Sequence, residues 1–288
     1  MNHVGDGIIV VALACTLAMP CGGLPAMAQQ QAPAAAPVCG GDEIARATVS
    51  RVTDGRTFTL ADGREVRLAA IEVPLMPPVE QSDQASSAAP AAAAAKNALD
   101  ALAGGDAVVL RQGSIASDRY GRIVAYAFTE RDGDELFVQG EMIAVGFARV
   151  GDQVETVSCA KALLVRENSA RKAKLGLWAD PYYDLIDAET PADVLAHKGQ
   201  FALVEGRVVS VRQSGATIYV NFGQHWSEDF AVTVRKRNER SFAAAGLDLQ
   251  GLAGHRVIVR GFIEARGRRG SPAIEAASPE QIETADRD

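Results

Sequence analysis

The stretch V-T-D-G-R-T-F-T-L, residues 52–60, carries the pattern that decides the fold. It ends a longer segment, residues 44–60, in which apolar and polar side chains largely alternate, as they do in a strand with one buried face. The A-D-G-R sequence at residues 61–64 supplies a turn, and residues 65–73 resume the strand pattern. We therefore predict a β-hairpin over residues 44–73.

The composition excludes several classes of protein. The chain has 288 residues, 48% of them hydrophobic and 23% charged, which is enough for two modest folded domains. A net charge of −7 argues against a polyanion-binding surface over the whole chain. A long apolar run occurs only within the first thirty residues, so a polytopic membrane protein is excluded.

The N-terminal segment has the pattern of a secretory signal. Residues 8–19 form an apolar run of twelve, which is short for a membrane span, and Ala26-Met27-Ala28 follows with small residues at the cleavage positions. We predict that residues 1–28 are a signal peptide and that the protein is periplasmic or secreted, with no integral membrane segment after cleavage. The leading segment lacks Lys and Arg, so an uncleaved anchor stays the alternative.

The number of cysteines in the mature protein depends on the same prediction. Cleavage removes Cys15 and Cys21 and leaves Cys39 and Cys159. An even pair in an exported protein favours a disulfide, with two unpaired thiols as the alternative. There is no C-x-x-C motif and no His/Cys cluster, so the sequence gives no support for a zinc site.

The first half of the chain alternates strands, helices and loops. Residues 29–43 read as a linker, and residues 44–180 as the first domain. Within that domain we predict a loop at residues 74–90, helices at 91–103, 136–150 and 159–177, and strands at 106–112 and 123–129.

A second domain is predicted after an acidic, proline-containing linker at residues 181–196. Residues 197–283 read as an OB-like β-barrel, followed by a tail at 284–288. The predicted strands are 201–212, 216–223, 229–235, 256–265 and 273–276, with a helix at 241–252 between the third and fourth. Five strands with one helix in that place match the element order of an OB-type barrel.

Four motifs carry a resemblance to a known family. They are residues 52–60, residues 67–74 (R-L-A-A-I-E-V-P), residues 118–122 (D-R-Y-G-R) and residues 176–178 (G-L-W). In this order the chain resembles the staphylococcal nuclease (thermonuclease-like) family. The resemblance implies an OB-type β-barrel with three helices. The predicted fold class is thus mainly β with helices (α+β), an SNase-like barrel followed by a second five-stranded barrel.

The resemblance also implies an activity, metal-assisted hydrolysis of phosphodiesters. In the family, carboxylates hold Ca²⁺, a Glu activates water, and two arginines stabilise the charged transition state. Arg67 and Arg122 match the two arginines. Glu72 stands where the family has a metal-binding Asp. These three residues are the candidate catalytic positions.

Three positions depart from the family pattern. Arg56 stands where a second Asp ligand is expected, Val73 replaces a Thr, and Leu75 falls where the family has its Glu base. A guanidinium removes an oxygen ligand and adds a repulsive charge where Ca²⁺ needs several oxygens. We therefore expect a degenerate metal site with no resident cofactor, and Glu72 as the metal ligand if there is one.

Three functions are consistent with these residues, and whether the protein is an enzyme is left open. The first is non-catalytic binding of a phosphate, nucleic acid or other anionic ligand by Arg56, Arg67 and Arg122. The second is a metal-dependent phosphodiesterase with altered ligands, Glu72 and Glu80, which alone would require Ca²⁺. The third is a cell-envelope module that binds another protein. In the last case the arginines would be ion-pair partners of nearby carboxylates.

The second domain has its own candidate contacts. Tyr219 and Trp226 offer aromatic faces and Arg235 and Arg237 offer charge, a combination that suits single-stranded nucleic acid. A solvated charged surface is the alternative. Residues 198–283 carry 12 Lys and Arg against 9 Asp and Glu, a net of +3, which leaves −10 for the rest of the chain. The second domain is therefore the part better suited to a polyanion.

Overall fold

The computed structural model describes residues 38–76, 85–131, 133–267 and 269–285. The predicted signal peptide lies outside these ranges, as does the candidate ligand Glu80. The described residues belong to one compact unit, Pro37–Asp288. Within it, no helix is both long enough and apolar enough to cross a membrane.

The alternating segment at residues 44–60 folds as two strands, β1 (Glu43–Asp54) and β2 (Thr57–Leu60), so the prediction of one continuous strand was wrong. The turn between them is fixed by Gly55. A Cβ atom at that position would come within 2.6 Å of the Ala95 Cβ, so only glycine allows this close approach to a helix. The predicted turn at residues 61–64 then leads into β3.

The remaining strands of the first domain are β3 (Glu65–Leu68), β4 (Ile71–Glu72), β5 (Ala107–Ser117), β6 (Ile123–Arg131), β7 (Asp134–Phe137) and β8 (Arg149–Val150). Strands β3, β5 and β6 close a barrel with β1 and β2 in the order β3-β2-β1-β5-β6, and a parallel β3–β6 pairing completes the ring. The small β4–β8 sheet stands apart. The predicted closed barrel of the SNase/OB type is confirmed.

Three helices pack on this barrel, α1 (Ala85–Ala103), α2 (Val138–Ala144) and α3 (Val157–Lys172). The first begins inside the predicted loop and contains Pro90. Proline removes one backbone hydrogen bond there, and the alanine-rich sequence around it has the highest helix propensity. The second is shorter than predicted because residues on both sides of it form β7 and β8.

The rest of the chain forms β9 (Ile186–Asp187), α4 (Pro191–Ala196), β10 (Phe201–Arg207), β11 (Ser210–Ser214), β12 (Thr217–Asn221), β13 (Ala231–Arg235), α5 (Glu239–Ala244), β14 (Arg256–Phe262), β15 (Glu264–Arg266), β16 (Ser271–Ala276) and β17 (Ile282–Thr284). Strand β10 runs into β11, and β14 into β15. The pairings β10–β14, β11–β12, β12–β13, parallel β13–β16 and β15–β16 follow the order of the first barrel. The assignment to the OB class and the domain boundaries stay predictions.

The two β regions share an apolar contact. Ala170 and Trp178 of the first region pack with Phe201, Leu203 and Ile258 of the second, and all five are buried. The predicted linker takes part in regular structure here, because β9 pairs in parallel with β10.

A buried ion network lies beside this contact. Arg260 of β14 is completely buried and pairs with Glu167 of α3 at 2.9 Å and with Glu283. Its Nη1 also donates to the Val150 carbonyl at 3.1 Å, while the Val150 N–H donates to Glu167 at 2.5 Å. Burial alone would lower the pKa of Arg260, but the two carboxylates outweigh it and raise that pKa. Each charge therefore depends on the others for its stability in the interior.

The predicted disulfide is present and joins Cys39 to Cys159, with the two Cα atoms 4.8 Å apart. Both cysteines are buried, although Cys39 falls in the predicted 29–43 linker. The bond spans 120 residues and ties the start of the barrel to the first turn of α3. Closing so long a loop restricts the unfolded chain strongly.

We expect the Cys39→Ala/Cys159→Ala variant to lose about 3–5 kcal/mol of unfolding free energy, because the unfolded chain regains the loop entropy. Denaturant unfolding followed by circular dichroism would measure the loss. Alkylation and intact-mass measurement of the unmodified protein provide the control. Two alkylated thiols without reductant would contradict the disulfide.

We expect Arg260→Met to lower the unfolding free energy by about 3–5 kcal/mol, since it leaves Glu167 buried without its cation. Adding Glu167→Gln should recover part of the loss, because the glutamine side chain is neutral. Arg256→Met on the same strand is the control, since its ion pair with Glu205 is half-exposed. Equal losses from both arginine variants would show that Arg260 has no special role.

Candidate anion site in the first barrel

The turn between β1 and β2 and the pairing of β2 with β3 place Arg56 and Arg67 side by side. The Arg56 N–H donates to Asp54 Oδ1 at 2.8 Å, so Asp54 closes the turn between β1 and β2, as its position before Gly55 suggests. The Arg56 carbonyl accepts a bond from the Leu68 N–H, next to Arg67 on β3. Both guanidinium groups thereby approach one point at the rim of the barrel.

Glu72 occupies that point. Its side chain is almost fully buried, and its two carboxylate oxygens accept from Arg56 Nη1 and from Arg67 Nη2, the latter at 2.9 Å. Burial raises the pKa of Glu72, and the two guanidiniums oppose that shift. Arg67 thus forms an ion pair with Glu72, which was the alternative to a ligand-binding role, and Arg56 pairs with the same carboxylate.

The backbone around Glu72 is held from both sides. Ala70 adopts a left-handed conformation with φ of 62°, which costs about 1–2 kcal/mol for a residue with a Cβ. Its carbonyl accepts from the Gly151 N–H at 2.8 Å, and Glu72 lies opposite Arg149 in the β4–β8 sheet. Strand β8 and the Gly151 that follows it therefore fix the position of Glu72.

Arg122 approaches from the neighbouring strand. It precedes β6, which pairs in parallel with β3. Burial is the main cause that lowers the pKa of Arg67, and the positive charges of Arg56 and Arg122 lower that pKa further. Asp118 accepts from Arg122 Nε and Nη2, both at 2.7 Å. The exposed Tyr120 ring lies 5.3 Å from the Arg122 guanidinium carbon. Arg56, Arg67 and Arg122 are therefore brought together, each with a carboxylate partner.

Asp152 is a site residue that the sequence did not reveal. It lines a small cavity with Arg67, Glu72, Ser114 and Gln153. Burial raises the pKa of Asp152, against the effect of Arg67 and Arg56. It follows β8 in a segment with no recognisable motif, so only the tertiary pairing with β4 brings it to the site.

The residues present do not fit a Ca²⁺ ion. Both oxygens of Glu72 face guanidiniums, Val73 is buried and apolar, and Leu75 is half-exposed and apolar. Among the described residues there is no group of three or more His, Cys, Asp or Glu side chains placed to hold a metal. Calcium needs six to eight oxygen ligands, and the described side chains around Glu72 do not supply them, while Glu80 lies outside the described residues.

The candidate residues of the second region divide into two places. Arg235 and Arg237 line one surface cleft, together with Arg266. Tyr219 lies opposite Thr233 in the adjacent strand pair, and its side chain is half-exposed. Trp226 is in the loop between β12 and β13, is 79% exposed and does not line that cleft.

The closed barrel and its three helices define an SNase/OB-like domain. The comparison with protein families agrees, since residues 65–180 match the family described as staphylococcal nuclease homologue. The chain therefore contains an SNase-type domain, as the motifs predicted. No curated protein matches the chain.

We expect Arg56→Ala to lower the unfolding free energy by about 1–3 kcal/mol, because it leaves a buried carboxylate with one partner instead of two. Combined with Glu72→Ala it should cost less than the sum of the two single changes. Thermal and denaturant unfolding of all four proteins would give the coupling energy. Arg64→Ala, which breaks an exposed pair with Asp62, is the control and should change little. Simple additivity would contradict the ion pair.

Proposed function

We propose that the protein is an exported SNase-type protein with a degenerate metal site, which binds a phosphate-bearing or other anionic ligand without hydrolysing it. One observation carries the proposal. The Arg56 guanidinium bonds to Glu72 at the place where the family resemblance implies a metal ion. The Arg56 guanidinium, a cation that is part of the protein, takes the place of an exchangeable metal ion.

The same residues argue against hydrolysis. A Glu72 carboxylate neutralised by two arginines is a poor ligand for a hard cation. Leu75 has no group that can accept a proton from water at the position of the family's Glu base. Losing metal assistance and the general base together removes several orders of magnitude in rate. A site that binds the ligand but provides no activated water then acts only as a receptor for it.

The ligand contacts come from Arg67 and Arg122. An arginine has five N–H donors, and in each of these side chains only some of the donors bond to the partner carboxylate. Two guanidiniums, one on β3 and one just before its partner strand β6, suit the oxygens of a phosphate group. Because the chain outside residues 198–283 has a net charge of −10, a small ligand suits this site better than a long polyanion.

Export is supported by two independent features. The Ala26-Met27-Ala28 sequence predicts cleavage before Gln29. The buried Cys39–Cys159 disulfide fits an oxidising compartment, the periplasm or the exterior. An intact mass beginning near Gln29 in the exported protein would establish the cleavage.

We expect no Ca²⁺-dependent DNase or RNase activity from the purified protein, because Arg56 and Leu75 occupy positions that need carboxylates. The variant Arg56→Asp/Val73→Thr/Leu75→Glu is the sharper test, since such groups act as a unit. Chelator-sensitive activity in the unmodified protein, abolished by Glu72→Ala, would overturn the proposal and favour the metal-dependent enzyme.

The same preparations test binding. Titration with inorganic phosphate and a nucleoside monophosphate at low salt should shift the backbone amide NMR signals of Leu68 and Ile123, which adjoin Arg67 and Arg122, and Arg67→Gln/Arg122→Gln should abolish these shifts. Arg64→Gln provides the control for lost surface charge. Absence of any shift would mean that both arginines are only ion-pair partners, which would favour the envelope-module alternative.

A further inference from the structure

We propose that the second β region contains a separate anion site, which takes the terminal phosphate group of a small phosphorylated molecule. The site, here named the arginine cleft, has a volume of about 370 Å³. Its lining residues are Ala216, Thr217, Thr233, Arg235, Arg237, Arg266 and Glu275. A volume of this size suits a small molecule.

Strand register brings the lining residues together on the outer face of the sheet. Thr217 of β12 lies opposite Arg235 of β13, and Thr233 lies opposite Glu275 of β16. The neighbours of these residues along the strands, such as Val232, Val234 and Ile274, are fully buried in the core. Because side chains alternate along a strand, the polar set points outward into the cleft.

Arg266 is held in place before any ligand arrives. Its Nη1 donates to Thr233 Oγ1 at 2.6 Å, its Nη2 to Glu275 Oε2 at 3.1 Å, and its Nε to Glu264 Oε2 at 3.0 Å. Thr233 is itself almost fully buried, which fixes that end of the fork. A guanidinium ordered in this way loses little further conformational entropy on binding.

The cleft has an excess of positive charge. Glu275 is its one acidic lining residue, and it is shared by Arg266 and by Arg235, whose Nε donates to it at 2.7 Å. Bonds from Arg235, followed by those from Arg266, lower the pKa of Glu275, so it counts as a full negative charge. Arg237 is exposed and has no ion pair among the described residues. Together with Glu264, which also pairs with Arg266, the cleft has three positive charges against two negative charges.

The donors left in the cleft favour a terminal phosphate over a phosphate within a chain. A phosphate monoester has three free oxygens and a charge of about −1.5 to −2 near neutral pH, whereas an internal phosphodiester has two free oxygens and one negative charge. The Arg237 fork and the Arg235 donors that Glu275 does not use suit those three oxygens. Free phosphate and a phosphorylated metabolite share this chemistry, and the probes below distinguish them.

The test uses the full-length protein carrying Arg67→Gln/Arg122→Gln, so that binding at the first barrel does not contribute. Inorganic phosphate, a nucleoside 5′-monophosphate and an oligothymidylate with a 5′-hydroxyl end are titrated at low salt by calorimetry. We expect phosphate and the monophosphate to compete for one site, with the monophosphate tighter if the remainder of the molecule is also contacted. The oligothymidylate should bind more weakly than either.

Arg237→Gln should weaken monophosphate binding by about fivefold to tenfold, the effect of one charge-assisted contact that is partly solvated. It removes no described ion pair, so the fold should be unchanged. Arg240→Gln is the matched control, because Arg240 is exposed on α5, loses the same charge and does not line the cleft. Arg235→Gln should weaken binding at least as much as Arg237→Gln.

Three outcomes would overturn the proposal. Equal weakening by Arg240→Gln and Arg237→Gln would show a diffuse field rather than a site. Tighter binding of the 5′-hydroxyl oligothymidylate than of the monophosphate would assign this face to a nucleic-acid strand. No binding of any probe, in a protein with an unchanged melting curve, would leave the arginines as cross-strand ion-pair partners. None of these outcomes bears on the first-barrel site, which the background variant removes.

Discussion

The guanidinium of Arg260 is the group on which the arrangement of the described chain depends most. It is fully buried, so it is stable only while Glu167, Glu283 and the Val150 carbonyl remain beside it. Two of these partners belong to the SNase-type domain and one to the second β region. Because Val150 immediately precedes Gly151 and Asp152, the same bonds fix the strand against which Glu72 is placed. The second region therefore supports the geometry of the candidate site as well as carrying its own cleft.

Guanidinium–carboxylate pairs recur wherever the chain concentrates charge. Arg56 and Arg67 share Glu72, and Arg235 and Arg266 share Glu275. In each case two cations bond to one carboxylate, and Arg266 pairs with Glu264 as well. Arginine stays charged across the whole physiological pH range. The anion binding proposed at these two places should therefore depend on salt.

Much of the first barrel was predictable, because strand alternation and turn residues indicated its first hairpin and the resemblance to the staphylococcal nuclease family implied the rest. Arg67, Glu72 and Arg122 were also predictable, since they lie inside those motifs. Asp152 and Arg260 were not, because their roles arise from the β4–β8 pairing and from packing between regions distant in sequence. The split of residues 44–60 into two strands was missed for a related reason: the contact between Gly55 and α1 that fixes the turn is tertiary.

That contact has a consequence for how such a site changes over evolutionary time. Gly55 lies so close to Ala95 that only a residue without a Cβ fits there. This constraint on the turn does not depend on the side chain at position 56. A substitution at position 56 then exchanges one functional group for another on a scaffold that does not move. The chemistry presented at this point of the rim can therefore change through position 56 alone, while the turn that presents it is kept.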